Sequence, residues 1–376
     1  MGLTEADFRA AGLLDPEDPK APERLALLQY LDSLGIGLEQ MVEAHKTGSL
    51  AGLPAEAEIL PGRERLDAAE LARRAGVSEQ LVDTLRRAAG LPPVAPGEPA
   101  FTEEDVKTYA AFSFAASIFG EEPILQYARV LGSSMARLAE AAISLFLGQL
   151  SATMRDADEL TVAKANLRAA GALAHVPQVM DNLFRLHLAA ALRRLVAARR
   201  DPDSYDTAWF AVGFVDLVGF TPLAEELPTR ELASLIEDFE ARAFHVVAAQ
   251  DGRVVKLIGD EVMFVTQRAE GACEVALSLV EGFGGAGSLV APRGGLAFGE
   301  VLVRGGDYYG STVNLASRIA ELAIPNEVLT LASLEAQLDP EARSRFCFEP
   351  AGRRLLKGFS KPVQLTALSR AAPASA

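Results

Sequence analysis

Through residues 1 to about 200, apolar side chains return every third or fourth position, Ala, Leu and Arg dominate, and Pro and Gly clusters cut the pattern into segments. A 3.6-residue repeat lines such positions along one face of a helix, so this half is predicted to be an all-α bundle. From Trp209 the texture changes. Short β-branched and apolar runs at 209–215, 253–258, 262–265 and 327–331 alternate with helical stretches, which predicts an α/β or α+β domain. The polar segment 201–206, with Pro202 inside it, cannot continue a helix and reads as a boundary. The expected organisation is a helical domain over 1–202 that includes a long final helix at about 176–200, an α+β domain over 203–370, and a disordered tail at 371–376.

Turn and cap residues refine the second half. One strand should end at Asp216, turn at Gly219 and lead into a helix starting near Thr221 and Pro222, with Thr as N-cap and Pro as first helical residue. The next helix is expected to bury Leu232, Leu235, Ile236, Phe239 and Val246. The runs at 253–258 and 262–265 read as a hairpin whose tip, Gly259-Asp260-Glu261, presents two acids. A further helix is expected over 269–282.

At 376 residues the chain is long enough for two domains, and 49 % hydrophobic with 23 % charged residues leaves no large disordered fraction. The formal charge of −15 argues against a general polyanion binder; an anionic substrate would need local cations, metal ions above all. Cys273 and Cys347 both lie in apolar surroundings and read as core positions, which fits a reducing cytosol better than a disulfide framework. The first residues lack the basic and apolar regions of a secretory leader. The longest apolar runs, near 110–119 and 141–150, fall short of the roughly 20 residues a membrane span needs. A cytoplasmic protein with no membrane span is expected.

Two carboxylates stand where strands should end: Asp216, in Phe214-Val215-Asp216-Leu217-Val218-Gly219-Phe220-Thr221, and Asp260, in Lys256-Leu257-Ile258-Gly259-Asp260-Glu261. Such positions can converge on a hard cation, since Mg²⁺ takes one or two carboxylates together with substrate phosphate oxygens. The amides of the turn at Gly219, Phe220 and Thr221, entering a helix, offer a site for terminal phosphates. Either Asp alone could equally be a turn former or a helix cap. Downstream, the stretch from Asp307 to Arg318 leads from a Gly-containing loop into a helix on which Asn314 and Arg318, four apart, share a face. An amide beside a guanidinium can orient a sugar oxygen and neutralise charge on a transferring phosphoryl group. Alternatively, Asn314 caps the helix and Arg318 is a solvated surface residue.

These motifs resemble those of the class III adenylyl and guanylyl cyclases over about 208–368: the Asp-x-x-Gly-Phe-Thr turn, Lys-x-x-Gly-Asp, and an Asp followed seven residues later by Asn and four further on by Arg. The resemblance implies a mostly antiparallel sheet with flanking helices, and an enzyme that closes ATP into 3′,5′-cyclic AMP with two divalent ions, Mg²⁺ or Mn²⁺. It implies Asp216 and Asp260 as metal ligands, Lys256 and Asp307 as readers of adenine, and Asn314 and Arg318 as the pair serving the transition state. Guanylyl cyclases of the family have Glu and Cys at the reader positions, so Lys and Asp point to ATP. Lys357 stands where the family often has a basic residue on the triphosphate; a surface lysine in a turn is the alternative. In the family, the metal aspartates come from one catalytic domain and the other four residues from its partner. This chain carries the motifs once, so a homodimer with two shared sites is implied.

Other readings come with the helical half. Residues 67–91 look like a helix-turn-helix, which would make the chain a DNA-binding regulator, but Glu79, Gln80 and Asp83 stand early in the second helix, where acids repel phosphate, and Arg86 and Arg87 come late. No nucleic-acid partner is therefore expected. A catalytically silent nucleotide-binding partner is the other alternative, against which the complete set of six residues argues. The helical half as a whole resembles the regulatory domains of certain actinobacterial cyclases. Its final helix carries one apolar row at Met180, Phe184, Leu188, Leu192 and Leu195 and a shorter one at Val179, Leu183 and Leu186, which suggests packing on two sides. It is either a lever between domains or a packed helix with a solvated end. Related regulatory domains respond to pH, which makes His187 and His245 candidate sensors; a proton and a fatty acid held in an apolar groove are the effectors the resemblance implies.

Overall fold

Helices of the first half start on short polar side chains. Thr4, Asp67, Ser78 and Thr102 each accept a hydrogen bond from the backbone N–H three residues on, which satisfies a donor that the first helical turn leaves free. The computed structural model describes residues 2–59, 65–154, 157–173, 175–200, 206–284 and 289–372; the expected boundary at 201–206, apart from Asp206, and the end of the expected tail, 373–376, lie outside them. The chain divides into two compact units, Met1–Leu186 and His187–Ala376.

The first unit is helical, as expected, with two apolar cores. One gathers Phe8, Leu27, Leu28, Leu31 and Met41; the other gathers Leu71, Val82, Leu85, Phe101 and Tyr109. Helices Ala68–Ala75 and Glu79–Ala88 meet through Gly76, whose φ of 68° reverses the chain, and they form the helix-turn-helix read from the sequence. Its late cations are engaged by the chain itself. Arg86 Nε donates to the Pro92 carbonyl at 2.5 Å, with the guanidinium over the Phe101 ring, and Arg87 pairs with Asp83 at 2.8 Å.

The long helix forms over Val176–Ala198. Its two apolar rows do not find packing on both sides within one chain: Phe184, Leu188 and Leu192 are 55, 57 and 62 % exposed, and Val179, Leu183 and Leu186 are exposed as well. Only the end of the helix is buried, through Ala198, and there Arg200 lays its guanidinium over the rings of Trp209 and Phe298. No described helix is long and apolar enough to cross a membrane.

In the second unit, strands β1 (Thr207–Val218), β2 (Arg253–Ile258), β3 (Glu261–Thr266), β4 (Ala291–Arg304), β5 (Asp307–Tyr309), β6 (Val328–Leu331), β7 (Phe346–Arg354) and β8 (Val363–Arg370) build one sheet. Its order is β2-β3-β1-β4-β6-β8-β7, with β5 paired to β4, and only β4 and β6 run parallel. Helices flank it, which is the α+β architecture expected. Strand side chains alternate between faces. Ala211, Val215 and Leu217 of β1 therefore pack with helices Thr229–Ala249 and Ala269–Phe283, whereas Phe210, Val212 and Phe214 pack with helix Ser311–Leu322. With both faces covered, β1 reads as an unbroken apolar run.

The structure corrects several expectations. The helix after β1 begins at Phe220 rather than at Thr221-Pro222: Gly219, at φ 86°, is the N-cap. A left-handed glycine turns the chain straight into the helix, so Thr221 falls inside the first turn and Pro222 sits where its missing N–H costs nothing. In helix Thr229–Ala249, full burial belongs to Phe239, Ala243 and Val247, while Leu232, Leu235, Ile236 and Val246 are half-buried. Cys273 is buried, but Cys347 is only partly so. The central strand β4 has no counterpart in the expected elements, because Pro292, Gly294, Gly295 and Gly299 interrupt its apolar pattern. Gly295 has a packing reason. A Cβ there would lie 2.1 Å from the Ala320 backbone nitrogen, so only glycine lets helix Ser311–Leu322 sit this close to the strand.

Candidate active site

Antiparallel register places Asp216 of β1 directly between Glu261 of β3 and Arg293 of β4. Arg293 donates to Asp216 Oδ2 from Nε at 3.1 Å and from Nη2 at 2.9 Å. Asp260 occupies the turn between β2 and β3, held against the end of β1 by a hydrogen bond from Leu217 N–H to its carbonyl at 3.3 Å. Burial and the neighbouring Asp216 charge push the Asp260 carboxyl up, opposed by its own backbone N–H. Burial above all, with the charges of Asp216, Asp260 and Glu321 behind it, pushes Glu261 up to about 7, against the pull of Arg293. Three carboxylates thus crowd around one guanidinium, and additional positive charge would relieve them.

A divalent cation fits that description. Asp216 and Asp260 supply two carboxylates, the number Mg²⁺ takes when phosphate oxygens and water complete its shell. Among the described residues no group of three or more His, Cys, Asp or Glu side chains is placed to hold a metal ion without such help.

Lys256 and Asp307 come together from 51 residues apart, with Nζ 2.6 Å from Oδ2. An irregularity in the β2–β3 register between Val254 and Lys256 accompanies the lysine, and the short strand β5 folds Asp307 back along β4. Tyr308 N–H donates to the other carboxylate oxygen at 2.8 Å. Each partner is satisfied by the other.

Asn314 and Arg318 lie on helix Ser311–Leu322, whose N-cap is Gly310. The alternative in which Asn314 caps the helix is therefore excluded. Thr312 Oγ1 donates to the Glu300 carbonyl at 2.7 Å and fixes the start of this helix on β4. Asn314 is exposed, and Arg318 is ion-paired with Glu321. Lys357 is exposed in the β7–β8 connection and contributes to the lowered carboxyl of Glu321, behind the larger effect of Arg318. Gly219 and Phe220 open their helix beside the end of β1; the Thr221 side chain lies outside the described residues. His187 and His245 are exposed on two different helices.

The six residues thus form three groups: Asp216 with Asp260, Lys256 with Asp307, and Asn314 with Arg318 on one helix. Among the described residues no hydrogen bond or ion pair between any two of the six joins one group to another. Sequence reasoning missed Arg293 and gave Glu261, the second acid of the hairpin tip, no role. Glu261 was visible beside Asp260, but the proximity of Arg293 to Asp216 exists only through the β1–β4 register.

The family profile described as "Adenylate cyclase regulatory domain" matches residues 6–192. An adenylate cyclase of Streptomyces coelicolor is 36 % identical over 75 % of this chain and 74 % of its own length. A pH-sensitive adenylate cyclase of Mycobacterium tuberculosis is 30 % identical over 82 % of this chain and 79 % of its own length. Among solved structures, the adenylyl cyclase CyaB from P. aeruginosa is 25 % identical, with a TM-score of 0.38 over 44 % of this chain and 96 % of that one. The chain belongs to the adenylate cyclase family and is an enzyme of that class, with a helical regulatory domain ahead of its α+β cyclase unit.

Proposed function

We propose that the chain converts ATP into 3′,5′-cyclic AMP and pyrophosphate in a homodimer whose two sites each draw on both protomers, with residues 1–202 regulating the 203–370 catalytic domain. The observation that carries this reading is the charge arrangement on one chain, where crowded carboxylates stand at the end of β1 and Lys256 and Asp307 are paired with each other. Asp216 and Asp260 of one protomer take the metal side, and Lys256, Asp307, Asn314 and Arg318 of the partner face the base and the reacting phosphate. The exposed apolar rows on helix Val176–Ala198 support a second copy covering them.

Two divalent cations, Mg²⁺ or Mn²⁺, held by Asp216 and Asp260 would supply Lewis acidity to the ribose 3′-hydroxyl and charge neutralisation to the triphosphate. The residues do the rest. Lys256 donates to adenine N1, and Asp307 accepts from the N6 amine; guanine offers the reverse pattern, and leaving these two charged groups mispaired against it rejects it by roughly 10⁴-fold. Asn314 orients the ribose. As the 3′-hydroxyl gives its proton to solvent, O3′ bonds to the α-phosphorus and the bond from that phosphorus to the bridging oxygen breaks; Arg318 neutralises the charge that builds there, and pyrophosphate leaves. The amides of Gly219, Phe220 and Thr221, with Lys357, receive the terminal phosphates.

Regulation is read through two features. His187 and His245 are exposed to solvent protons, in keeping with a pH-sensitive relative. An apolar groove of about 650 Å³ lined by Phe112, Ala115, Phe119, Ile124 and Tyr127 suits a fatty-acid tail. Incubating the full chain with ATP or GTP and Mn²⁺ tests the activity: cyclic AMP and pyrophosphate should form from ATP, and the proposal fails if neither appears or if GTP is preferred.

A further inference from the structure

Within one chain, a continuous line of polar contacts runs from Asp216 to Arg318. Arg293 gives Asp216 Oδ2 two hydrogen bonds, at 3.1 and 2.9 Å. Its remaining nitrogen, Nη1, donates to the carbonyls of Glu321 at 3.0 Å and Ala323 at 3.4 Å, at the C-terminal end of helix Ser311–Leu322. The side chain of Glu321 then completes the line through its ion pair with Arg318. Each link has a reason. A cation is favoured at the carbonyl end of a helix, and the planar guanidinium fork gives the carboxylate oxygen two hydrogen bonds while a third nitrogen faces two carbonyls, a geometry that a single-nitrogen ammonium does not reproduce. The Arg293 side chain is about a quarter exposed, so solvent competes only in part for these bonds.

We propose that Arg293 is a positioning residue that couples the two sites of the homodimer: it orients Asp216, which serves one site, and seats the helix end that sets Arg318, which serves the other. The coupling rests on the shared-site reading above. Weakening the Asp216–Arg293 pair loosens the guanidinium, and with it the last carbonyls of the helix and the Glu321 that restrains Arg318. By linkage the effect is reciprocal: a displaced Arg318 helix disturbs the orientation of Asp216.

Co-expressed full-length chains with two affinity tags test this. One chain carries Asp260→Ala and the other Arg318→Ala, so the heterodimer keeps a single site, built from the carboxylates of the second chain and helix Ser311–Leu322 of the first. Arg293→Gln added to the second chain should raise the Mn²⁺ concentration for half-maximal activity about tenfold. Added to the first chain, it should lower kcat about tenfold and leave the Mn²⁺ requirement unchanged. Arg293→Lys should rescue neither arm fully. A readout without turnover is hydrogen exchange of the metal-free full chain, in which Asp216→Asn should speed exchange over 318–323 severalfold. The coupling is overturned if Arg293→Gln in the first chain is silent, if both arms change alike as general damage would make them, or if Asp216→Asn leaves exchange unaltered. An inactive heterodimer before Arg293 is touched sinks the shared-site reading itself, and the coupling with it.

Discussion

The carboxylate cluster at the end of β1 and the Lys256–Asp307 pair handle charge in opposite ways. At the first, Arg293 bonds Asp216 while Asp260 and Glu261 feel only its charge, and the latter two carboxyls are pushed up. At the second, one ammonium meets one carboxylate at 2.6 Å. An unbalanced cluster gains from any cation that enters it. A balanced pair gives up its own hydrogen bond only to a ligand that offers both an acceptor and a donor in the right order. The first arrangement therefore suits binding of metal, the second suits discrimination between bases.

The sharpest way to break this contrast is to remove one acid. Asp216→Ala or Asp260→Ala should lower kcat on the order of 10³-fold and abolish Mn²⁺ binding measured by electron paramagnetic resonance, while Lys256→Ala leaves Mn²⁺ binding intact. Exchanging the readers comes next: the double variant Lys256→Glu with Asp307→Cys should shift the ATP-to-GTP ratio of kcat/KM by about 10²-fold or more, read by chromatography of the cyclic products. Mixing Asp260→Ala chains with Arg318→Ala chains, each inactive alone, should restore about a quarter of wild-type activity, since half the dimers are mixed and each has one intact site.

A smaller effect lies in stability. Glu261 keeps its proton in the folded chain to about 7, against an ordinary value of 4.5. Between those two values the folded state binds more protons than the unfolded one, so the metal-free protein should lose melting temperature as pH rises through that window. Glu261→Gln should flatten the slope; an unchanged slope would show that the crowding is not felt. Least of all, replacing His187 and His245 together by Ala should displace the pH profile of activity by less than about one unit and leave activity at the optimum unaltered.

Much of the catalytic half was legible in the chain. The apolar runs of β1, β2 and β3 announce themselves because the sheet is covered on both faces, and the glycines at 219 and 259 mark the turns that carry the acids. The helix-turn-helix over 68–88 was equally plain from its caps and Gly76. Hidden were β4, whose glycines serve a close helix approach rather than a turn, and the exposure of the apolar rows on helix Val176–Ala198, where the pattern of a buried helix stands without cover in one chain.

Sequence alone determined which residues could do chemistry, because motif spacing reflects local geometry: a turn after a strand, a hairpin tip, two positions one helical turn apart. Only the tertiary structure decided how charges meet. The Lys256–Asp307 pair and the line from Asp216 through Arg293 to Glu321 join residues 28 to 77 positions apart, and such contacts depend on strand register and helix seating, which local spacing does not encode.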